Sequence, residues 1–430
     1  MEYSEFVADA QRSYVQLPDE KSELYKKNYI RIPDEYLSGN VAASARNGEG
    51  DVIVEEIRRN LGLSFDICIA NGNITGEHQN ARIVDMSDVS AGEIAAKMCR
   101  SGDDKFSAFV NSSAGKAVFI RVGRNEKANI RILLLGVGAS AFAQVLCDVE
   151  PGGELTLFEM CASRNSTASA LGIVNEIRIG ESAMANVHLI HNEDDKTAVI
   201  NIHKAELGKD GKLVQHHVYT GGAYTKAKGS VTLNGDSAES DMNEIVLGSL
   251  NQRIDIATEL VNFSKGSLGL LESKAVLTDT SRCILKGFAH IRQGAVGSRS
   301  MVEEKGLLLD DTAKIDSIPG MSVDEYDVKA THASATAPVE EEAVFYLTSR
   351  GIDRTTANRL LVDGFLGGSI GKIKDLHVRN AIASIIHDKV VNKRYGAVPR
   401  LSDENLLITF HDDGEEGDRI IQEHYKYRGA

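Results

Sequence analysis

From about Lys116 to Val328 the chain is a succession of short runs that alternate apolar and polar residues, broken every ten or so residues by Gly, Asn or Asp. Residues 116–123 (KAVFIRVG), 128–135, 154–161 (ELTLFEMC), 175–180, 213–219, 230–233 and 282–291 all have this texture. A strand points successive side chains to opposite faces, so alternation of this kind predicts strands with one buried face. More than 200 residues of it, with few helical windows, predict a large all-β unit. Glycine is abundant at 39 residues, as many tight turns require, while proline is rare at 6 and tryptophan absent. The spacing is irregular and shows no clean repeat, so the pattern alone leaves a β-solenoid and a sandwich both open.

The flanks read differently. Residues 51–61 (DVIVEEIRRNL) space Val52, Ile53, Ile57 and Leu61 along one helix face, and 91–100 (AGEIAAKMCR) predict a second helix. Between them, 65–70 (FDICIA) read as a strand running into the turn Asn71-Gly72-Asn73. After Pro338 the period becomes helical. Residues 339–349 carry an acidic first turn and stop at Gly351. Asp353 is placed to cap a second helix, with Ala357, Leu360, Leu361 and Phe365 on one face before Gly367-Gly368. Residues 375–391 predict a third, with Ile382, Ile385 and Ile386 inward. The expected organisation is a mixed α/β domain over 1–115, a β body over 116–330, a helical domain over 331–400 and a charged extension over 401–430.

Several function classes are disfavoured. A net charge of -14, from 48 basic and 62 acidic residues, argues against a nucleic-acid binder or a protein held on anionic lipid. No run approaches the roughly 18–20 apolar residues of a membrane span, and the polar N-terminus is unlike a secretory leader, so a soluble cytoplasmic chain is expected. The five cysteines, Cys68, Cys99, Cys147, Cys161 and Cys283, form no CxxC pair and predict free thiols. No phosphate-binding loop is present: Gly371-Lys372 has Leu366 where its first glycine belongs and Ile373 where its Ser/Thr belongs. Gly136-Val137-Gly138-Ala139-Ser140-Ala141 fits a dinucleotide fingerprint and makes an oxidoreductase a competing reading. The helix after it would be too short before Pro151, so a simple turn is the favoured reading. His188, His191, His203, His216, His217 and His290 are read as surface or hydrogen-bonded histidines, and no HExxH or close carboxylate–histidine spacing marks a metal site.

The C-terminal third carries a resemblance. Residues 306–318 (GLLLDDTAKIDSI), Pro319, the run DVKATHASAT over 327–336, FYLTSRGI over 345–352 and LLVDGF over 360–365 follow one another in order. Together they resemble the SufB/SufD family, with its LLL…A…P segment, DV-x-x-x-H turn, FYL-x-SRG helix and LL-x-x-GF helix. Residues 273–287 (SKAVLTDTSRCILKG) are similar to a strand pair of that family, and the matching texture covers about 115–400. The resemblance implies a mainly β fold, a right-handed parallel β-helix between an N-terminal α/β domain and a C-terminal helical domain. It also implies a role: a non-catalytic scaffold of SUF-type iron–sulfur cluster assembly, holding a cluster transiently. The implied partner is a SufC-like ABC-type ATPase on the C-terminal helices, at Phe345, Tyr346, Arg350, Leu361 and Phe365. The missing phosphate loop agrees with nucleotide chemistry residing in that partner.

Site residues follow by the same resemblance. Phe158-Glu159-Met160-Cys161 is similar to the E-x-C stretch where SufB takes up sulfur, which makes Cys161 the expected sulfur acceptor and a soft iron ligand. Strand alternation puts Leu155, Leu157, Glu159 and Cys161 on one face, where a cysteine is also ordinary packing. His332 matches the histidine near the subunit interface of SufB and SufD, and the cysteine that SufB places near it falls on Glu304. Glu303 and Glu304 are therefore candidate hard iron ligands, or else part of a solvated turn with Lys305. Thr331 and Ala333 stand where SufB carries carboxylates. The implied assembly is either a SufB–SufD-type heterodimer or, slightly favoured, a homodimer with two copies of His332 meeting across a twofold axis, fed by a sulfur-donor protein. A purely structural SufD-like partner is the alternative.

Overall fold

A computed structural model of the protein describes residues 3–20, 29–37, 49–85 and 98–390. The β stretch folds as a parallel β-solenoid. Its strands are β1 (Ile67–Ala70), β2 (Asn73–Gly76), β3 (Ala81–Asp85), β4 (Lys116–Val122), β5 (Lys127–Val137), β6 (Ala141–Val149), β7 (Glu154–Arg164), β8 (Ser169–Ile179), β9 (Met184–Asn192) and β10 (Thr197–Leu207). They continue as β11 (Lys212–Tyr219), β12 (Tyr224–Leu233), β13 (Glu239–Gly248), β14 (Arg253–Asn262), β15 (Leu268–Leu277), β16 (Arg282–Ile291), β17 (Arg299–Leu308), β18 (Lys314–Ser317), β19 (Gly320–Val323) and β20 (Lys329–Pro338). One sheet runs β2-β1-β5-β7-β9-β11-β13-β15-β17-β20 and the other β18-β16-β14-β12-β10-β8-β6-β4-β3, with β19 also on β16. Each turn thus gives one strand to each sheet, in about eight turns. Except for the antiparallel pairs β1–β2 and β3–β4 the ladders are parallel.

The repeat that side-chain identity hides is present in the backbone. At the corner that follows each second-sheet strand from β4 to β16, one residue adopts a left-handed conformation: Asn125, Gly152, Ser182, Asp210, Ser237, Gly266 and Gly297, at φ between 53° and 75° and 27–31 residues apart. Gly, Asn and Asp tolerate this region best. Each corner amide donates to a carbonyl of the next corner, as in Ser182 N to Lys209 O (2.8 Å), Asp210 N to Asp236 O (2.9 Å) and Ser237 N to Lys265 O (2.9 Å). A small residue follows at every corner but that of Asn125, where Glu126 follows, and Ala183, Ala238, Ser267 and Ser298 are all fully buried. The chain turns inward there on a side chain that leaves room for it.

Between the sheets lies an aliphatic core, with Leu134, Leu157, Leu189, Leu213, Val231, Leu233, Leu260 and Leu271 among its members. The outer face of the second sheet is covered by the helix Lys105–Ser113, whose Phe106, Phe109 and Val110 pack on Phe142, Val174, Ile200 and Ile202. Asp104 caps that helix, accepting from the amides of Phe106 (2.8 Å) and Ser107 (3.0 Å), a contribution of about 1 kcal/mol.

The contacts divide the described residues into two units, one holding 3–56 and 64–338 and the other 57–63 and 339–390. Residues 1–115 therefore do not stand apart as the expected mixed domain: β1, β2 and β3 extend the solenoid sheets. The helix over 51–61 is Glu49–Leu61, with Ile53, Ile57 and Leu61 buried but Val52 exposed. The strand at 65–70 is β1, turned by Asn71-Gly72 into β2. Most of 91–100 and all of 391–430 lie outside the described residues. The fingerprint at Gly136–Ala141 is a strand-to-strand corner with Gly138 at φ 66°, and β6 replaces the helix a nucleotide site would need.

β20 carries the solenoid to Pro338, so the helical unit begins later than 331. Its helices are Glu341–Ser349, Arg354–Gly371 and Leu376–Val390. Asp353 caps the second through the Thr356 amide (3.0 Å), and Gly351 breaks the first at φ 87°. The second helix runs through Gly367-Gly368 instead of ending there, because Leu366, Ser369 and Ile370 are buried and offset the cost of about 1 kcal/mol per glycine. Its buried face carries Ala357, Val362, Leu366 and Ile370, so Leu360 stays exposed and Leu361 and Phe365 are half-buried, against the expected grouping. Ile382, Ile385 and Ile386 are buried as expected. No helix among the described residues is long and apolar enough to cross a membrane.

Candidate functional site

A line of polar side chains crosses the aliphatic interior of the solenoid. Residues two apart on a strand share a face, and the parallel register stacks those faces from turn to turn. Glu159 on β7 is in register with Leu189 on β9, then His217, Glu244, Ser273 and Glu304 on β11, β13, β15 and β17. One pair further along the same strands, Cys161 is in register with His191 and His191 with Tyr219. The opposite sheet contributes Asn175, His203, Gly229, Thr258 and Gly287 in successive register.

The two sheets bond across this line. Asn175 Nδ2 donates to Glu159 Oε2 at 2.9 Å, and Asn201 Nδ2 to the Tyr219 hydroxyl at 2.8 Å. Thr258 and Ser273 donate to the two oxygens of Glu244 at 2.5 and 2.6 Å. Glu304 accepts from the Gly287 amide at 2.5 Å and from the Ser317 hydroxyl. His203 and His217 meet edge to face, 4.5 Å between ring centroids. Burial governs the protonation of these groups. It pushes Glu159 up to about 8 despite the Asn175 bond, and Glu304 up to about 7 despite Ser317 and Gly287. It pushes His203 down to about 4 and His217 well below its usual value, the latter helped by His203.

Gly229 makes room for this pair. A Cβ there would lie 2.1 Å from both Cε1 and Nε2 of His203. Gly229→Ala is therefore expected to destabilise the protein by about 1–3 kcal/mol, as overpacking does. Thermal unfolding should show the loss shrink in the Gly229→Ala/His203→Ala double variant, where the clash is gone.

At one end of the line three donors of different chemistry converge. Cys161 Sγ, a ring nitrogen of His191 and a carboxylate oxygen of Glu193 all lie within 4.8 Å of one another, and all three residues are fully buried. His191 Nδ1 is 2.6 Å from Glu193 Oε1, and the His191 ring stacks on Tyr219 at 5.4 Å with planes 4° apart. Burial, with Glu193 and Glu159 nearby, pushes the Cys161 thiol well up, which leaves it protonated and weakly nucleophilic in this arrangement.

Glu304 is not in a solvated turn: it lies in mid-β17 and is 1% exposed, whereas Glu303 faces out and pairs with Lys305 at 2.9 Å. His332 lies on β20 in register with Val302, and Ser334 with Glu304, so the last rung carries His332 on the row that faces inward further back. Here that row is exposed, since no later strand of the described residues covers it. Cys161 is separated from Glu304 by β9, β11, β13 and β15, about 24 Å at the usual strand spacing, so one ion cannot use both. Phe345, Tyr346 and Arg350 are exposed on the first C-terminal helix, with the Arg350 guanidinium 5.1 Å above the Tyr346 ring.

Of the histidines read as surface or hydrogen-bonded, most are interior: His191, His203, His216 and His217 are at most 1% exposed. Sequence reasoning also missed Glu193, Tyr219 and Glu244. For the first two the signal was the pair of i, i+2 motifs H-x-E at 191–193 and H-x-Y at 217–219, about one and two solenoid turns beyond E-x-C at 159–161.

The match to known proteins falls on this region. The family model for the SufBD core domain of SUF-system iron–sulfur cluster assembly covers residues 133–365. Bacillus subtilis SufD, an iron–sulfur cluster assembly protein, is 27% identical over 66% of this chain and 65% of its own length. A SufBD family protein of Pyrococcus horikoshii is 24% identical over 63% and 61%, and Escherichia coli SufD is 24% identical over 56% and 57%. The chain thus spans less than two thirds of the length of these curated relatives. With a matching core over more than half of its residues, the chain belongs to the SufBD family of SUF-system iron–sulfur cluster assembly proteins.

Proposed function

We propose that this chain is a non-catalytic scaffold subunit that accepts sulfur at Cys161, conducts it along the interior of the solenoid and helps build an iron–sulfur cluster at the far end. The observation that carries the reading is the polar line from Cys161 through Tyr219, His217 and Glu244 to Glu304, inside an otherwise aliphatic core. Buried polar groups cost free energy unless they are hydrogen-bonded, so a plain packing core would have no use for such a row. At the far end, imidazole from His332 and carboxylate from Glu304 suit iron, with a second subunit completing the ligand set. The open edge of β20 offers the surface on which that subunit, a second copy or a SufB-like chain, would pair. Phe345, Tyr346, Arg350, Leu361 and Phe365 are the residues on which an ABC-type ATPase would dock. The setting would be the cytoplasm.

The test is anaerobic reconstitution with iron and a sulfur donor, with and without the ATPase, followed by visible and Mössbauer spectra. Wild type is expected to form a cluster, and Cys161→Ser and His332→Ala to fall to background while binding the ATPase normally. One observation favours a second reading, a purely structural SufD-like partner: Cys161 is 0% exposed and its thiol is held protonated by burial. Unchanged cluster formation in both variants would select that reading.

A further inference from the structure

The geometry points to a mononuclear metal site: we propose that Cys161, His191 and Glu193 bind one borderline divalent cation of the Zn²⁺ or Fe²⁺ class. This goes beyond the sulfur reading, although both use Cys161. The donor set is thiolate, imidazole and carboxylate, the mixture that such ions prefer and that hard Mg²⁺ or Ca²⁺ do not. A tetrahedral ion with bonds of about 2.0–2.3 Å needs its donor atoms about 3–4 Å apart. The three atoms already lie within 4.8 Å, so small side-chain rotations suffice.

Two of the groups have unused capacity. His191 Nε2 and Glu193 Oε2 are buried with no hydrogen-bond partner, in residues 0% and 1% exposed. A buried polar atom left so is costly, and a cation bound between the two side chains would give one of them a partner. On binding, the ion replaces the thiol proton of Cys161, which leaves for solvent, and the 2.6 Å contact between His191 and Glu193 opens to admit it. Three protein ligands leave a fourth position for water or an incoming sulfur ligand, as open rather than closed sites do.

The scaffold around the site is rigid. Thr220 N and Gly221 N both donate to His191 O, at 2.9 and 3.1 Å, and Gly222 N donates to Glu193 O at 3.2 Å. Gly221 passes so close that a Cβ on it would lie 1.9 Å from the Glu193 amide nitrogen. Glu193 is also the first residue past β9, beside the exposed Asp195 of the corner leading to β10.

The test is a Co²⁺ titration of the full chain under anaerobic conditions, with no sulfide, sulfur donor or ATPase present. Expected are one equivalent bound, a near-ultraviolet thiolate-to-cobalt charge-transfer band, and displacement by Zn²⁺. The band should vanish in Cys161→Ser and persist in Cys283→Ser, a cysteine on β16. His191→Gln and Glu193→Gln should each weaken binding by more than the roughly 10–100-fold typical of losing a group that only orients a ligand. Circular dichroism and urea midpoints establish that each variant is folded. A folded wild type without the band, or a band unchanged in Cys161→Ser, overturns the site. Because no sulfur chemistry enters the assay, either result leaves cluster assembly to be judged separately.

Discussion

Replacing Asp255 by alanine is expected to cost about 3–5 kcal/mol, the range for deleting one partner of a buried ion pair. Asp255 lies on the outer face of the second sheet and is 0% exposed, with its Oδ2 2.7 Å from Lys226 Nζ and its Oδ1 2.9 Å from Lys286 Nζ. Both ammonium groups are nearly as buried, at 1% and 2% exposure. Burial alone would push the Asp255 carboxyl up, but the two lysines outweigh it and hold it below its ordinary value. Burial also pulls Lys286 down, although Asp255 opposes the shift. Alanine leaves two cations facing each other in a dry environment, with the Glu20 carboxylate beside Lys226 left to offset them. The loss reaches the N-terminal segment as well, since the Ile30 amide donates to Asp255 Oδ2 at 2.9 Å and Glu20 approaches Lys226 at 3.6 Å. Thermal unfolding should show the first transition lowered by on the order of 10 °C. Proteolysis should become faster at residues 29–37. The double variant Asp255→Leu/Lys286→Met should recover part of the loss, because it removes one of the two cations together with the carboxylate and leaves Lys226 with Glu20. A Tm shift of only a degree or two in Asp255→Ala would mean that water already reaches these groups.

Much of the fold was legible because strand alternation and turn residues are local signals. The runs at 116–123, 154–161, 213–219 and 282–291 all became strands, and Asn71-Gly72 became a turn. What alternation lacks is register. The choice between solenoid and sandwich depends on pairing residues about 30 positions apart, and the corner residues that set that spacing vary among Asn, Gly, Ser and Asp. Aligned on their left-handed conformation they form one column; aligned by identity they form none. The site divides in the same way. Cys161 and Glu159 fall on one face by strand parity alone, but that His191 lies over Cys161 follows only from the β7–β9 register. Glu304 looked like part of a charged turn because Glu303 and Lys305 flank it. The strand sends those two outward to each other and Glu304 inward to Gly287 and Ser317. The second C-terminal helix shows the converse failure, where glycines read as a stop are overridden by the buried residues after them.

Acidification is expected to destabilise the solenoid through His203, by on the order of 3 kcal/mol between pH 6.5 and 4. Burial holds His203 down to about 4, so the folded protein keeps it neutral over that interval. The unfolded chain takes up a proton below its ordinary value of 6.5. The unfolded state therefore binds more protons, and stability falls as pH falls. His217, pushed down by burial and by His203 itself, adds loss in the same direction. The buried carboxyls run the other way. Glu159, raised to about 8, and Glu304, raised to about 7, are protonated in the folded state where the unfolded chain is ionised, so they cost stability as pH rises from 4.5 through those values. Between about pH 6.5 and 4.5 the two histidines and the two carboxyls thus work against each other, and wild type should change little in stability over that interval. His203→Leu separates the two effects. It removes a titrating group whose two ring nitrogens have no hydrogen-bond partner, so it should match or exceed wild type at pH 7. Urea midpoints at pH 4.5, 5.5, 6.5 and 7.5 should show the variant gaining on wild type as pH falls below 6.5. Parallel curves for the two proteins would mean that His203 is protonated in the folded state, and that the interior line of side chains holds water along its length.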